Sequence, residues 1–257
     1  MNLVNLLKGL FNKRRRIDVK YLPSQGLFYN DDFEVHIKKA DVEDILEYEH
    51  EYTKDDLSSI INRLKRVVEK NSFSSNSYQF SDLKSIDIVF LFLEIVKYTK
   101  DKDIKLVYFD DENGKELTID FNSNNFNYYK LTEEMLSKYD KNNKQFVIDE
   151  FKYSLPSIGV ENCITNYLIA MVNESDISKY NDYSYDFIFF LGNKRTISFD
   201  EIDNLIQIFN SDLEEEDRKK VKSIVKMFQP MQKYSLIKDD RIIEINSKID
   251  LEKIWKN

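Results

Sequence analysis

The stretch from Leu83 to Tyr98 constrains everything around it. With Ser81 or Asp82 as its cap, it reads as a helix running through Tyr98. Leu83, Ile86, Ile88, Val89, Phe90, Leu91, Phe92, Leu93, Ile95 and Val96 leave that helix apolar nearly all round. Such a helix is enclosed rather than laid on a surface, so the chain must supply partners for every side of it. Its strongest apolar run, Ile86 to Val96, is interrupted by Asp87 and Glu94 and is shorter than the roughly 20 residues that span a bilayer. No transmembrane segment is predicted, and the helix is placed at the centre of a core.

The rest of the composition suits a packed body. The 257 residues include 18 phenylalanines and 16 tyrosines, which provide bulk for a core and argue against disorder. That length allows one large domain or two small ones. Five glycines and three prolines are roughly a quarter of average usage. This speaks against a loop-built binder, a collagen-like chain or a glycine-cradled nucleotide enzyme. A net charge of −8 disfavours a whole-surface nucleic-acid binder. One cysteine excludes an internal disulfide, and with two histidines it excludes a four-ligand zinc site built of Cys and His alone. The expectation is a soluble, globular, intracellular protein.

Leu3, Leu6, Leu7, Leu10 and Phe11 fall on one helical face, and Lys13, Arg14, Arg15 and Arg16 follow directly. The charges come after the apolar stretch, the reverse of a secretory signal. A short helix packed on its own domain and a docking handle for a partner protein both fit this segment. Asp18 to Leu22 alternates as a short strand, Pro23 and Gly26 punctuate a turn, and Phe33, Val35 and Ile37 make a second strand. Val42, Ile45 and Leu46 open a helix. Leu57, Ile60, Ile61, Leu64, Val67 and Val68 share one face of another, and a Ser/Asn loop covers 71–77. Asn113-Gly114 is the strongest hairpin signal, joining Ile104–Tyr108 to Leu117–Phe121.

Farther on, a helix is expected around Val160 to Met171. Tyr185 to Leu191 fits either a buried strand or an aromatic-rich helix. Ser198…Glu201 and Ser211…Glu214 have the form of capping boxes and predict helices over 198–210 and 212–228. Tyr234 to Ile245 reads as a second hairpin-like unit followed by Ile249, Leu251, Ile254 and Trp255. It echoes the first hairpin and its apolar tail Phe126–Leu131, which suggests a weak internal duplication.

No residue set makes a convincing reaction centre. Phe109 to Asp120 places Asp111, Asn113, Gly114 and Asp120 at calcium-loop positions, but its first position is Phe109 and strands flank it instead of helices. Gly192-Asn193-Lys194-Arg195-Thr196 lacks the spacing of a phosphate loop and reads as a turn. His36 and His50 are 14 residues apart with no second metal-binding cluster, and both read as surface residues. Cys163, among Val160, Ile164 and Tyr167, reads as a buried structural thiol. Glu43/Asp44, Glu133/Glu134 and Glu214/Glu215/Glu216 read as solvated helix faces or first turns. No catalytic residue, metal or cofactor is assigned, and the chain is expected not to be an enzyme.

Tyr21-Leu22-Pro23-Ser24-Gln25-Gly26-Leu27-Phe28-Tyr29 resembles the L-P-S-x-G-x-x-Y signature near the start of the baseplate hub assembly proteins of T-even-type contractile-tailed phages. The resemblance continues through the acidic helix ending near Glu51, a D-x-x-x-L segment at Asp87–Leu91, the hairpin Lys105–Phe121 and the tail Phe126–Leu131. It covers about residues 20 to 130. Many family members carry a C-x-x-C pair at the hairpin tip; here the tip is Asp110-Asp111-Glu112-Asn113-Gly114, so no metal role is implied.

The resemblance implies a non-enzymatic phage tail protein acting in baseplate hub assembly, as a structural subunit or an assembly chaperone. Its partners would be other hub or tape-measure proteins, with no nucleic acid and no membrane. It would reside in the host cytoplasm during assembly, or in the virion baseplate if retained. The alternative is an unrelated intracellular adaptor that docks through its N-terminal helix. Candidate partner-binding residues are Leu3, Leu6, Leu7, Leu10, Phe11, Arg14, Arg15, Arg16, Tyr21, Leu22, Pro23, Ser24, Gly26 and Tyr29. The expected fold is α+β, with helical layers and small antiparallel hairpin units. It divides into an N-terminal segment 1–16, a module 17–131 and a mainly helical half 132–257.

Overall fold

A computed structural model describes residues 13–50, 57–75, 77–110, 113–121, 126–127, 129, 131–173, 185–192, 194–232, 235–238, 241–244 and 254–255. Strand β1 (Arg15–Ile17) pairs antiparallel with β2 (Val35–Ile37), which pairs with β3 (Ser72–Ser74). Helices α1 (Val42–His50) and α2 (Leu57–Asn71) lie between β2 and β3 in the chain, and 3-10 turns at Phe80–Asp82 and Ser85–Asp87 lead into α3 (Ile88–Lys100). The hairpin of β4 (Ile104–Asp110) and β5 (Lys115–Phe121) runs in register from Ile104↔Phe121 to Asp110↔Lys115, with Gly114 at φ +61° in its turn.

After β6 (Phe126–Asn127) come α4 (Glu133–Ser137) and a three-stranded sheet of β7 (Tyr139–Asp140), β8 (Gln145–Ile148) and β9 (Phe151–Tyr153). Helix α5 (Ile158–Asn173), a 3-10 helix at Tyr185–Phe190, α6 (Phe199–Gln207) and α7 (Glu215–Phe228) follow. Strands β10 (Ser235–Lys238) and β11 (Arg241–Glu244) close the described sequence of elements. The fold is α+β, with seven α-helices and small antiparallel sheets among the described residues.

Helix α3 is the centre of the first of three cores. Phe90, Leu91, Phe92, Leu93, Ile95 and Val96 are all buried, each contributing about 1.5–3 kcal/mol relative to exposure. The two charges that interrupt its apolar run have assigned tasks. Glu94, also buried, lies 3.4 Å from Arg15 and so ties β1 to the helix; Asp87 is taken up below. Phe28, Phe146, Tyr153 and Phe228 are prominent in a second core, and Val160, Tyr167, Phe187 and Ile202 in a third.

Several expectations are corrected. The alternating stretch at 18–22 is not a strand: Asp18 accepts the Lys20 amide and caps a 3-10 turn, while the strand lies earlier at Arg15–Ile17. The boundary at 16/17 therefore cuts through β1. The helix expected from Leu83 starts at Ile88, because Lys84 pairs in a β-bridge with Ser157. Residues 72–74, read as loop, form β3.

The Ser198–Glu201 capping box forms in both directions, whereas Ser211 and Asp212 belong to a wide turn at Ile208–Asp212 and α7 starts at Glu215. Packing does not follow the division at 131/132. Leu236, Ile254 and Trp255 join the first core, and Phe28 and Ile86 join the second. Strand β10 hydrogen-bonds to β6, so the tail that follows the first hairpin joins the sheet of the second, while β4 and β5 form a two-stranded sheet of their own.

Candidate functional site

The segment Tyr21–Tyr29 folds as successive turns. Leu22 is extended, at ψ 145°, as the residue before Pro23 must be. The amides of Gln25, Leu27 and Tyr29 donate back to the carbonyls of Leu22, Ser24 and Gly26. Gln25 and Gly26 both have positive φ, 56° and 72°. At Gly26 a Cβ would also lie 3.2 Å from the Val19 side chain, so glycine fits on two counts.

This turn delivers Ser24 and Tyr29 to one carboxylate. Asp87 Oδ1 accepts from the Ser24 amide at 2.8 Å; Oδ2 accepts from the Ser24 hydroxyl at 2.8 Å and the Tyr29 hydroxyl at 2.7 Å. The Tyr29 oxygen accepts the Lys84 amide at 2.7 Å, and Lys84 Nζ donates to the Leu155 carbonyl at 2.9 Å. Asp87 stands where a helix cap would, yet makes no cap bond, because the turn occupies its oxygens. From outside, Gln25 Nε2 donates to the Tyr129 carbonyl and Tyr139 donates to the Leu27 carbonyl.

Ser24, Tyr29, Lys84 and Asp87 are all buried. Burial pushes the Asp87 carboxyl up to about 6, against the opposing pull of the Tyr29 and Ser24 bonds and the Lys84 charge. Burial likewise brings Lys84 down to about 8, partly offset by Asp87 and Asp82, and holds the Tyr29 phenol well above its usual range. At neutral pH the pair therefore stands mainly as carboxylate and ammonium. Each bond of the carboxylate joins distant chain segments. The arrangement is a clamp that fastens the 22–29 turn to the head of α3 and, through Lys84, to the start of the second half.

Beside the clamp lies an open cleft of about 210 Å³. Phe28 and Tyr78 supply its walls; Lys84, Lys194 and Arg195 bring positive charge and Asp82 a carboxylate. The 194–195 backbone is pinned to the start of α5, where the Ser157 hydroxyl lies 3.3 Å from both carbonyl oxygens. Gly159 lets it approach, since a Cβ there would collide with the Arg195 carbonyl oxygen. A second, mostly apolar cleft of about 280 Å³ is bounded by Ile61, Leu64, Ile88, Val89, Pro156 and Phe189, among others.

Leu3, Leu6, Leu7, Leu10 and Phe11 lie outside the described residues. The basic run is engaged within the chain: the Arg14 guanidinium sits 4.0 Å from the Phe73 ring centroid, Arg15 pairs with Glu94, and Arg16 pairs with Glu34 at 2.8 Å. Leu22, Pro23, Ser24 and Tyr29, expected on a partner-binding surface, are buried. They hold the turn from within and present no surface to a partner, while Tyr21 and Gly26 are half-buried.

In the sequence Lys84 carries no assignment, Asp82 is offered only as a helix cap, and Lys194-Arg195 is assigned to a plain turn. The available signal was a lysine and an aspartate three residues apart in the most apolar part of the chain. Among the described residues no group of three or more His, Cys, Asp or Glu is placed to hold a metal ion. No helix there is long and apolar enough to cross a membrane. Comparison with protein-family models, with curated proteins and with solved structures finds no match to this chain.

Proposed function

We propose that the chain is a non-enzymatic protein of contractile phage-tail assembly, acting at the baseplate hub through protein–protein contacts. The observation that supports this is the Asp87 clamp. Ser24 and Tyr29 of the L-P-S-x-G-x-x-Y segment and Asp87 of the D-x-x-x-L segment, two separate parts of the family resemblance, are hydrogen-bonded to one another in a buried node. Within this chain Ser24, Tyr29 and Asp87 depend on one another, since together they satisfy a buried charge. The same burial leaves Ser24 and Asp87 engaged in structure rather than presented to a substrate.

The test is co-expression of the full chain with the hub and tape-measure proteins of a contractile-tailed phage, followed by affinity capture. Capture of a hub or tape-measure protein, lost when Asp87→Ala disrupts the node, is the expected result. A folded wild-type chain that captures none of them overturns the proposal.

A further inference from the structure

Positive charge collects at one end of the first sheet. Beyond the last β1–β2 pair, Arg15↔Ile37, the next residues outward are Arg14 and Lys13 on one side and Lys38 and Lys39 on the other. Tyr98 of α3 draws the two sides together: its hydroxyl donates to the Lys13 carbonyl at 3.0 Å, and Lys39 Nζ lies 5.5 Å from its ring centroid. The chain at Asn71–Phe73 closes the third side, where the Lys38 amide donates to the Asn71 carbonyl at 2.9 Å and the Arg14 guanidinium sits over the Phe73 ring. Lys13 and Arg14 are exposed, and Lys38 and Lys39 are half-buried.

Among the described residues, none of these cations has a carboxylate partner. The carboxylates close to them in the chain are spent elsewhere: Glu34 on Arg16 at 2.8 Å, Glu94 on Arg15, Asp103 on Lys97 at 2.7 Å, and Asp41 on the Asp44 amide at 2.9 Å. No aspartate or glutamate precedes Asp18, which Lys20 holds at 2.8 Å. The rings beside Arg14 and Lys39 steady these cations without cancelling their charge. Like charges gathered at the end of a ladder repel one another, and an anion placed between them turns that repulsion into attraction.

We propose that this end of the β1–β2–β3 sheet docks an acidic peptide segment of a partner protein. The Arg14 guanidinium makes no hydrogen bond among the described residues, so its planar fork is available to a carboxylate. A nucleic acid or an anionic bilayer presents its charge over a wide area and would also meet the rest of a chain whose net charge is −8. A short acidic segment touches the basic end alone. The inference stands apart from the phage-tail proposal, since an acidic partner of any origin satisfies it, and its failure leaves that proposal untouched.

Titration calorimetry of the full chain with an acetylated, amidated hexaglutamate peptide tests it, with a short DNA duplex and phosphatidylserine vesicles as comparison probes. The wild-type chain should bind hexaglutamate and lose affinity as salt is raised. Arg14→Gln and Lys38→Gln should each weaken binding about threefold, and together about tenfold, as expected of ion pairs formed at a surface. Lys105→Gln combined with Lys115→Gln removes as much charge from exposed positions on the β4–β5 hairpin and should leave binding unchanged. Melting curves recorded alongside fix a temperature at which every variant is folded.

Absence of hexaglutamate binding overturns the proposal, as does an equal loss in the hairpin variant. Tighter binding of the duplex or the vesicles than of the peptide overturns it too, because the surface would then serve an extended polyanion.

Discussion

Replacing Tyr29 by phenylalanine removes one oxygen and keeps the ring, which is stacked on Phe33 with centroids 3.9 Å apart. Two bonds of 2.7 Å are lost: the one donated to Asp87 Oδ2 and the one accepted from the Lys84 amide. Both partner residues are buried. An unsatisfied buried group costs about 1–3 kcal/mol. The amide loses its acceptor outright, whereas Oδ2 still has the Ser24 hydroxyl. The expected loss is about 2–4 kcal/mol, or a melting temperature lower by roughly 5–15 °C for a chain of this size.

The Tyr29 bond favours the ionised form of Asp87, whose carboxyl titrates near 6. The carboxylate share of the loss should therefore be present at pH 8 and reduced at pH 5. Urea unfolding of wild type and Tyr29→Phe at both pH values measures this. A deficit below about 0.5 kcal/mol at pH 8 would refute the idea that the node carries a substantial part of the stability. An equal deficit at both pH values would refute the assignment of part of it to Asp87.

Asp87 rises from 3.8 to about 6 on folding, so the folded chain holds this proton more tightly than the unfolded one. Its contribution to stability should fall by about 2 kcal/mol as pH rises from 4 to 6, and Asp87→Asn should lack that decline in pH-dependent unfolding. Gly159→Ala should destabilise by about 1–3 kcal/mol through the clash with the Arg195 carbonyl, despite alanine's better helix propensity; an unchanged urea midpoint would show that the 194–195 segment can yield. Gly26→Val should cost more than about 1 kcal/mol because of its positive φ and the Val19 contact, read by thermal melting. Removing residues 1–16 should lower the melting temperature more than removing 1–12, because the longer deletion takes β1 residues Arg15 and Arg16 and leaves buried Glu94 without its arginine; equal midpoints would contradict that.

Much of the fold was legible where a local signal was strong. Asn113-Gly114 marked the β4–β5 hairpin because a tight turn needs positive φ there. Ser198 and Glu201 marked the start of α6 because their side chains satisfy each other's amides. The same S-x-x-E pattern misled at 211–214, where the chain still continues the preceding turn and Glu214 itself stands before α7.

Strands β7–β9 were missed because their turns use Lys144 and Asp149 at positive φ instead of glycine. The late start of α3 was invisible because its causes are distant, a bridge to Ser157 and a carboxylate claimed by a turn more than 50 residues away. The cleft has the same character. Phe28, Tyr78, Lys84 and Arg195 meet through tertiary packing, and no spacing in the sequence announces it.

The contribution of Trp255 to the first core has a consequence for synthesis. Its ring packs against Tyr48 and Phe92, and Lys100 Nζ donates to the neighbouring Ile254 carbonyl. More than half the chain separates Phe92 from this contact, so α3 emerges from the ribosome long before its last wall exists. Until residue 255 is free, that side of the most apolar helix stays uncovered, a state prone to self-association and to capture by chaperones. A chain cut before Ile254 would thus lack part of its centre rather than of its edge.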